Sequence, residues 1–172
     1  MKLVRALSAA VALVALQAMP AMASPQVPFQ ATFHGTFSIA FGVCPGGDNQ
    51  LSFSGQGIAY QGGLSSISGV SCLHPEATNP LCSTIVDTTV TVAAADGSTF
   101  GFNNQAEDCL RFTPAGIFID GAGTYRILPG TGRFDQASGS GSVHTTAHVL
   151  VMTATGASGT FDPLVFSGTI ST

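Results

Sequence analysis

Positive charge is scarce in this sequence. Lysine and arginine together number five, against nine aspartates and glutamates. The single lysine is Lys2, so the chain beyond residue 23 carries its positive charge on Arg111, Arg126 and Arg133 alone. Cations this few and this scattered cannot neutralise a run of phosphates, so nucleic acid is not an expected partner. The lack of a further lysine also excludes Schiff-base chemistry on a lysine amine.

Tryptophan, catalytic motifs and metal-binding spacings are absent as well. A glycosidase usually stacks sugars on tryptophan, and this chain has none. Glu107 and Asp108 are adjacent, so on a strand they point to opposite sides and do not form a catalytic carboxylate pair. The sequence contains no G-x-S-x-G elbow and no phosphate-binding loop with its lysine. It also lacks C-x-x-C spacing, so neither a zinc site nor any other cofactor is expected.

The first residues have the pattern of a secretory signal peptide. Lys2 and Arg5 form a short positive region, and Leu7 to Leu16 is almost purely apolar. Ala21-Met22-Ala23 then places small residues where a signal peptidase reads them. We expect cleavage after Ala23 and one domain over residues 24–172, secreted or periplasmic, as in a bacterial exported protein. The apolar run is shorter than the roughly 20 residues that span a bilayer, so the processed protein is not expected to cross a membrane.

Four cysteines, an even number in a chain predicted to be exported, indicate two disulfides. Cys72 and Cys82 flank a proline-containing loop and could staple it locally, which leaves Cys44 to pair with Cys109. We favour this arrangement, and the alternative pairs Cys44 with Cys72 and Cys82 with Cys109. Each bond would stabilise the fold by about 2 to 4 kcal/mol, mostly through the unfolded state.

Residues 29–41 alternate between apolar or small side chains at odd positions and mostly polar side chains at even ones. This period of two predicts a β-strand with one buried face. The stretch is long for a strand, so Gly35 is expected to mark a bend or bulge. Weaker versions of the pattern predict further strands at 51–59, 86–92, 98–102, 109–113, 116–128, 137–152 and 161–170.

The connections between these strands carry turn residues. Asp96-Gly97 is a hairpin signal. Segments 45–49 and 73–81 are predicted to be loops that meet at one end of the molecule. No segment combines a helical period with capping residues. The sequence therefore predicts an all-β fold: a single antiparallel, closed barrel of about eight strands, in which the last strand pairs with the first.

Residues 121–143, GAGTYRILPGTGRFDQASGSGSV, carry one strand through a tight corner into a second, glycine-rich strand. This stretch resembles the allene oxide cyclase and dirigent families of small β-barrels, whose corner has the form G-G-[ST]-G-x-[FR]. Residues 128–134 match that corner, except that Pro129 replaces the first glycine. The resemblance implies an eight-stranded barrel with an apolar cavity. In those families, carboxylates in the barrel steer a cyclisation or a radical coupling, and the resemblance does not assign them to positions in this chain.

The corner also has a structural interpretation that is independent of any family. Gly130 and Gly132 are expected to take positive φ, and Pro129 fixes its own backbone. Phe134 is expected to plug the end of the barrel. On this interpretation the corner shapes the fold and binds no ligand.

Three side chains on the strand that enters the corner, Asp120, Tyr125 and Arg126, are the best candidates for convergent catalytic groups. The competing interpretation has Asp120 and Arg126 facing solvent and Tyr125 packing in the core. His144 and His148 would form a metal-binding pair on a helix. Their segment is rich in threonine and valine and is predicted to be a strand, where they would stand roughly 13 Å apart. No metal site is therefore expected.

Three functions fit this barrel, and we rank first a binding protein, without catalysis, that holds a small apolar molecule in its lumen. The ligand would be fatty-acid-like or terpenoid-sized, and the expected lining is Phe33, Phe37, Ile39, Tyr125 and Ile127. A solid structural or cell-surface barrel ranks second. An allene oxide cyclase-like or dirigent-like isomerase ranks third. A filled lumen would favour the structural barrel, whereas an ionisable side chain inside an open lumen would favour the isomerase.

Overall fold

The computed structural model describes residues 25–172, so the predicted signal peptide lies outside the described residues. The described chain is an all-β fold of eight antiparallel strands, each hydrogen-bonded to the next, that closes into a barrel. The strands are β1 (Val27–Ala40), β2 (Asn49–Ala59), β3 (Gly63–Pro75), β4 (Cys82–Ala94), β5 (Thr99–Thr113), β6 (Gly116–Leu128), β7 (Ser138–Thr153) and β8 (Gly156–Ser171). Short 3-10 turns lie at Pro45–Gly47 and Gly132–Phe134.

The predicted closure is confirmed, because β1 pairs with β8 from Val27–Ile170 to Ala40–Gly156. The register of this pair shifts between Phe33 and Gly35, where a bend or bulge was expected. Gly97 forms the predicted hairpin turn with a φ of 83°. Across residues 25–172, none of the helical segments has the length and apolar character to cross a membrane.

Two strand predictions are wrong. β3 was not predicted, because its interior-facing positions include Ser65, Gly69 and Ser71, which weaken the hydrophobic alternation. The predicted strands at 98–102 and 109–113 are parts of one continuous strand, β5. Both errors have the same physical cause: small or polar side chains occupy interior positions there, so hydrophobicity alone does not reveal the strand.

The two ends of the barrel differ. The connections at 41–48, 76–81, 114–115 and 154–155 lie at one end, which we call the disulfide end. The connections at 60–62, 95–98 and 129–137 lie at the other, which we call the corner end. The predicted loops 45–49 and 73–81 are partly strand, because Asn49 begins β2 and residues 73–75 end β3. The two segments meet at the disulfide end, where His74 Nδ1 lies 3.0 Å from Asp48 Oδ1.

The disulfides join Cys44 to Cys72 and Cys82 to Cys109. The pairing we favoured from the sequence is therefore wrong, and the alternative is confirmed. Cys72 lies within β3, opposite Val86, whereas Cys82 begins β4 and lies directly opposite Cys109 on β5. Strand pairing thus separates the two cysteines that are nearest in sequence. Two disulfides favour an extracytoplasmic protein.

The corner between β6 and β7 confirms one of its two glycine predictions. Gly132 has a φ of 60°, as expected, whereas Gly130 does not have positive φ. Gly130 is needed for a different reason, because a Cβ atom there would overlap the backbone carbonyl of Thr99 and lie 2.7 Å from Phe100 Cα. Phe134 is 1% exposed and its ring centroid lies 4.8 Å from that of Phe100, so it plugs the corner end as predicted.

These two roles for glycine can be separated by alanine substitution. Gly130→Ala forces the corner away from the backbone of Thr99 and Phe100. It is expected to lower the free energy of unfolding by about 1 to 3 kcal/mol. Gly46→Ala is the matched control, since Gly46 has a φ of 79° but open space around its missing side chain. Backbone strain alone should cost about 1 kcal/mol there. Urea denaturation measures both variants, and a larger loss for Gly46→Ala would contradict the close approach at the corner.

Candidate functional site

Aromatic rings fill the corner half of the barrel. Phe102 stacks on Phe166 with ring centroids 4.5 Å apart and meets Tyr125 at 5.0 Å. Three of the predicted lumen residues, Phe33, Tyr125 and Ile127, belong to this packed cluster and are buried. They do not line the cavity of the other half, whereas the remaining two predicted lumen residues, Phe37 and Ile39, do line it.

The disulfide half of the barrel contains two neighbouring cavities, which we call the inner and the outer chamber. The inner chamber has a volume of about 80 Å³ and the outer chamber a volume of about 160 Å³. Ile39, Asp108 and Ile119 line both chambers, so they form the waist between them. The inner chamber is otherwise lined mainly by apolar side chains, which include Phe37, Leu51, Phe53, Ala106, Val143, Ala147, Phe161 and Leu164.

The outer chamber opens at the disulfide end through an apolar rim. Phe41, Leu81 and Met152 line it and are 39%, 45% and 51% exposed. Side chains of this size are normally buried, and here they surround the access to the cavity. The barrel is thus solid at its corner end and hollow at its disulfide end.

Asp108 is the titratable side chain at the waist. β5 directs even-numbered side chains inward from Phe100 onward, so Asp108 faces the cavity, whereas Glu107 is exposed. Gly121 pairs with Asp108 on β6, and a Cβ atom at Gly121 would overlap Asp108 Oδ1. Because Gly121 has no side chain, the carboxyl group of Asp108 can occupy the space that a Cβ atom would fill.

The environment of this carboxyl group disfavours its charged form. Burial raises the pKa of Asp108 to about 6, because an ionised carboxylate loses solvation in an apolar cavity. None of the salt bridges formed within residues 25–172 involves Asp108. A carboxyl group with a pKa near neutrality in an open cavity is a feature of binding and catalytic sites.

Two further polar atoms face the inner chamber without a hydrogen-bond partner: Asn104 Oδ1 and Thr145 Oγ1. Thr145 pairs with Gly121, so Asp108, Gly121 and Thr145 form a row across three neighbouring strands. Asn104 lies four residues before Asp108 on β5, about 13 Å deeper along the strand. Buried polar atoms normally find a partner, so these two atoms mark places where a ligand or a water molecule can bind.

The structure does not bring the predicted catalytic candidates together. Asp120 lies on the outer face, where Arg111 Nε donates to its Oδ2 at 2.5 Å and lowers the pKa of Asp120. Arg126 is exposed, whereas Tyr125 is in the core, where burial raises its pKa to about 12. This placement agrees with the competing interpretation, in which Asp120 and Arg126 face solvent and Tyr125 packs inside.

The histidines lie outside the cavity. His148 stacks on Phe118 with ring centroids 4.7 Å apart, and His144 is exposed on the same outer face of β7. In the described residues, one group of potential metal ligands comes close together: Cys82, Glu107 and Cys109. Both of its sulfur atoms are bonded to each other in a disulfide, so the group offers no thiolate to a metal.

Sequence reasoning missed Asp108, Asn104 and Thr145. A usable signal was present, because Phe100 and Phe102 set the inward phase of β5, and that phase continues through Asn104 and Asp108. Because the sequence predicts two separate strands within β5, it does not predict that even-numbered side chains point inward along the whole strand. The polar residues of the cavity therefore looked like surface residues.

No family model and no curated protein matches this sequence. The resemblance of residues 121–143 to the allene oxide cyclase and dirigent families therefore stays a prediction. A barrel can hold many unrelated functions, so the function has to be argued from the cavity and its polar groups.

Proposed function

We propose that this protein is an exported binding barrel that holds a small, mainly apolar molecule in the cavity of its disulfide half. The observation that carries this proposal is the pair of mainly apolar chambers, with Asp108 between them, a few neutral polar side chains on their walls and access through an apolar rim. Ligand sites of this kind combine a mostly apolar lining with a few polar groups that fix orientation.

The volume of the cavity limits the ligand. An engineered apolar cavity of about 150 Å³ accepts benzene, and the inner chamber has about half that volume. The inner chamber therefore suits a short alkyl end, and the rest of the ligand would occupy the outer chamber. The inner chamber alone is too small for the fatty acid or terpenoid expected from the sequence, so most of such a ligand would lie in the outer chamber.

Secretion or export to the periplasm is part of the same proposal. The signal-like residues 1–23 and two disulfides support it. In such a compartment the two disulfides at the open end of the barrel are not reduced. They can therefore stabilise that end while a ligand is bound.

The size of the cavity gives a graded test with n-alkanols. Each added methylene is expected to tighten binding about fourfold, from about 0.8 kcal/mol per buried CH₂, until the chain fills the cavity. Ala106→Leu places a larger side chain in the inner chamber and is expected to weaken n-hexanol binding about fifteenfold, the loss of roughly two buried methylenes. Isothermal titration calorimetry measures both effects.

Ala93→Leu is the matched control, because Ala93 lies between the buried residues Val92 and Ala94 on β4 and therefore points outward. It should bind n-hexanol like the unmodified protein. Equal binding by Ala106→Leu and Ala93→Leu would place the alkanol outside the inner chamber and contradict the proposed site. An absence of saturable binding to any alkanol would contradict the function itself.

Asp108 favours a second candidate function, an isomerase or cyclase of the kind that the family resemblance implies. A carboxyl group with a pKa near neutrality can both accept and donate a proton in an enclosed site. Chromatography with mass spectrometry of the ligand carried from the native host distinguishes the two functions. Recovery of a single compound that the protein does not alter supports binding. A product that the unmodified protein forms and the Asp108→Asn variant does not form supports catalysis.

A further inference from the structure

We infer that the waist of the cavity binds the ammonium group of a small amine that carries a short apolar chain. This inference rests on the proposed binding function and specifies the chemical class of the ligand. Its basis is the carboxyl group of Asp108, which occupies the space beside Gly121 in a cavity lined mainly by apolar side chains.

In the part of the chain that the structure describes, Asp108 at the waist has no positively charged hydrogen-bond donor beside it. Within the described chain, the salt bridges pair other carboxylates with arginine or histidine and leave Asp108 without a cation. Thr145 contributes its methyl group here, because a Cβ atom at Gly121 would lie 2.8 Å from Thr145 Cγ2. An ammonium group offers several N–H donors and one positive charge, so it can donate to the carboxylate of Asp108 and compensate its charge.

Other head groups fit this waist less well. A carboxylate would add a second negative charge beside Asp108 in a medium of low dielectric constant. A neutral hydroxyl could donate one hydrogen bond but would leave the charge of Asp108 uncompensated. Since buried charges in proteins are normally paired, a cation is the partner that the waist lacks.

Asp108 is the titratable side chain that lines the two chambers in the described structure. Its register partners are Ser83 on β4 and Gly121 on β6, neither of which ionises. β7 faces the cavity with Val143, Thr145 and Ala147, and its histidines point outward. The strands β1, β2, β3 and β8 contribute side chains without charge to the lining. Among the side chains that the structure describes, Asp108 is therefore the one whose titration between mildly acidic and neutral pH is expected to change amine binding.

Calorimetry of n-hexylamine, n-hexanol and hexanoate against the full protein tests the inference. At about pH 7.5, the amine is expected to bind at least about tenfold more tightly than the alcohol, as a charge-assisted hydrogen bond allows. Hexanoate should bind more weakly than either. At about pH 5, amine affinity should fall about tenfold, because a group with a pKa of about 6 is then mostly protonated.

Two charge-matched variants locate the effect. Asp108→Asn keeps the shape of the side chain and should remove the preference for n-hexylamine over n-hexanol. Asp135→Asn removes one negative charge from an exposed position at the corner end and should keep the preference. An equal affinity for amine and alcohol, or an amine preference that survives Asp108→Asn, would overturn the inference and leave the binding function intact. If neither compound binds, the proposed function and the inference both fail.

Discussion

Replacing Phe102 with alanine is expected to lower the free energy of unfolding by about 3 to 5 kcal/mol. The Phe102 side chain is 0% exposed and contacts the rings of Phe29, Phe100, Tyr125 and Phe166. Its removal would leave a cavity in the half of the barrel that rings fill most completely, and close-packed rings cannot move far to fill it. Urea denaturation, with the slope of the transition compared between variants, measures the loss.

Phe53→Ala provides the matched comparison, because it removes the same side chain from the hollow half. Phe53 is partly exposed and already borders the inner chamber. Its loss enlarges an existing cavity and removes fewer contacts, so the expected cost is about half that of Phe102→Ala. Equal costs for the two variants would contradict the division of the barrel into a packed half and a hollow half.

The strands predicted best from the sequence are those whose interior face is hydrophobic along most of its length. β1 has alternating phenylalanines, and β6 and β8 have regular isoleucine, leucine or phenylalanine positions. β3 and the middle of β5 break this rule, because serine, glycine, asparagine and aspartate face the interior there. Hydrophobic periodicity does not reveal a strand where its interior positions are small or polar, and Asn104 and Asp108 are two such positions on the cavity wall.

The same reasoning explains the errors at the site. Asp120 and Arg126 attracted attention because they lie on a well-predicted strand, yet they occupy its outer face. Glu107 and Asp108 are adjacent on a strand and point to opposite sides, so the sequence predicts no carboxylate pair there. One inward carboxyl group, that of Asp108, is nevertheless sufficient for a binding site. The disulfide pairing required the register of β4 against β5, which places Cys82 opposite Cys109 and is not readable from spacing.

Asp108→Asn is expected to stabilise the protein at about pH 7.5, by roughly 2 to 3 kcal/mol. The folded protein raises the pKa of Asp108 from 3.8 to about 6, and each pKa unit corresponds to about 1.36 kcal/mol. The cost of burying the charge is absent below about pH 3.8, where the carboxyl group is protonated in both the folded and the unfolded chain. It grows as the pH rises towards 6 and is complete above that value.

The difference in unfolding free energy between the two proteins, measured by urea denaturation from about pH 3.5 to about pH 7.5, isolates this effect. Asp120 has a pKa lowered by Arg111, so its contribution to stability is lost as the pH falls, in the opposite direction. Both proteins contain Asp120, and its contribution therefore cancels in the difference. Asp135→Asn, at an exposed site, is expected to show little difference from the unmodified protein across the range.

A stabilised Asp108→Asn variant would also decide how its loss of amine binding is interpreted. Since the variant would be the more stable protein at neutral pH, weaker binding could not result from unfolding. Asp108 would then be a residue that costs stability and contributes binding, a trade-off common at functional sites. If Asp108→Asn instead destabilised the protein increasingly as the pH rose, Asp108 would have partners in the fold that support its charge. The waist would then have no unpaired carboxylate to offer a ligand.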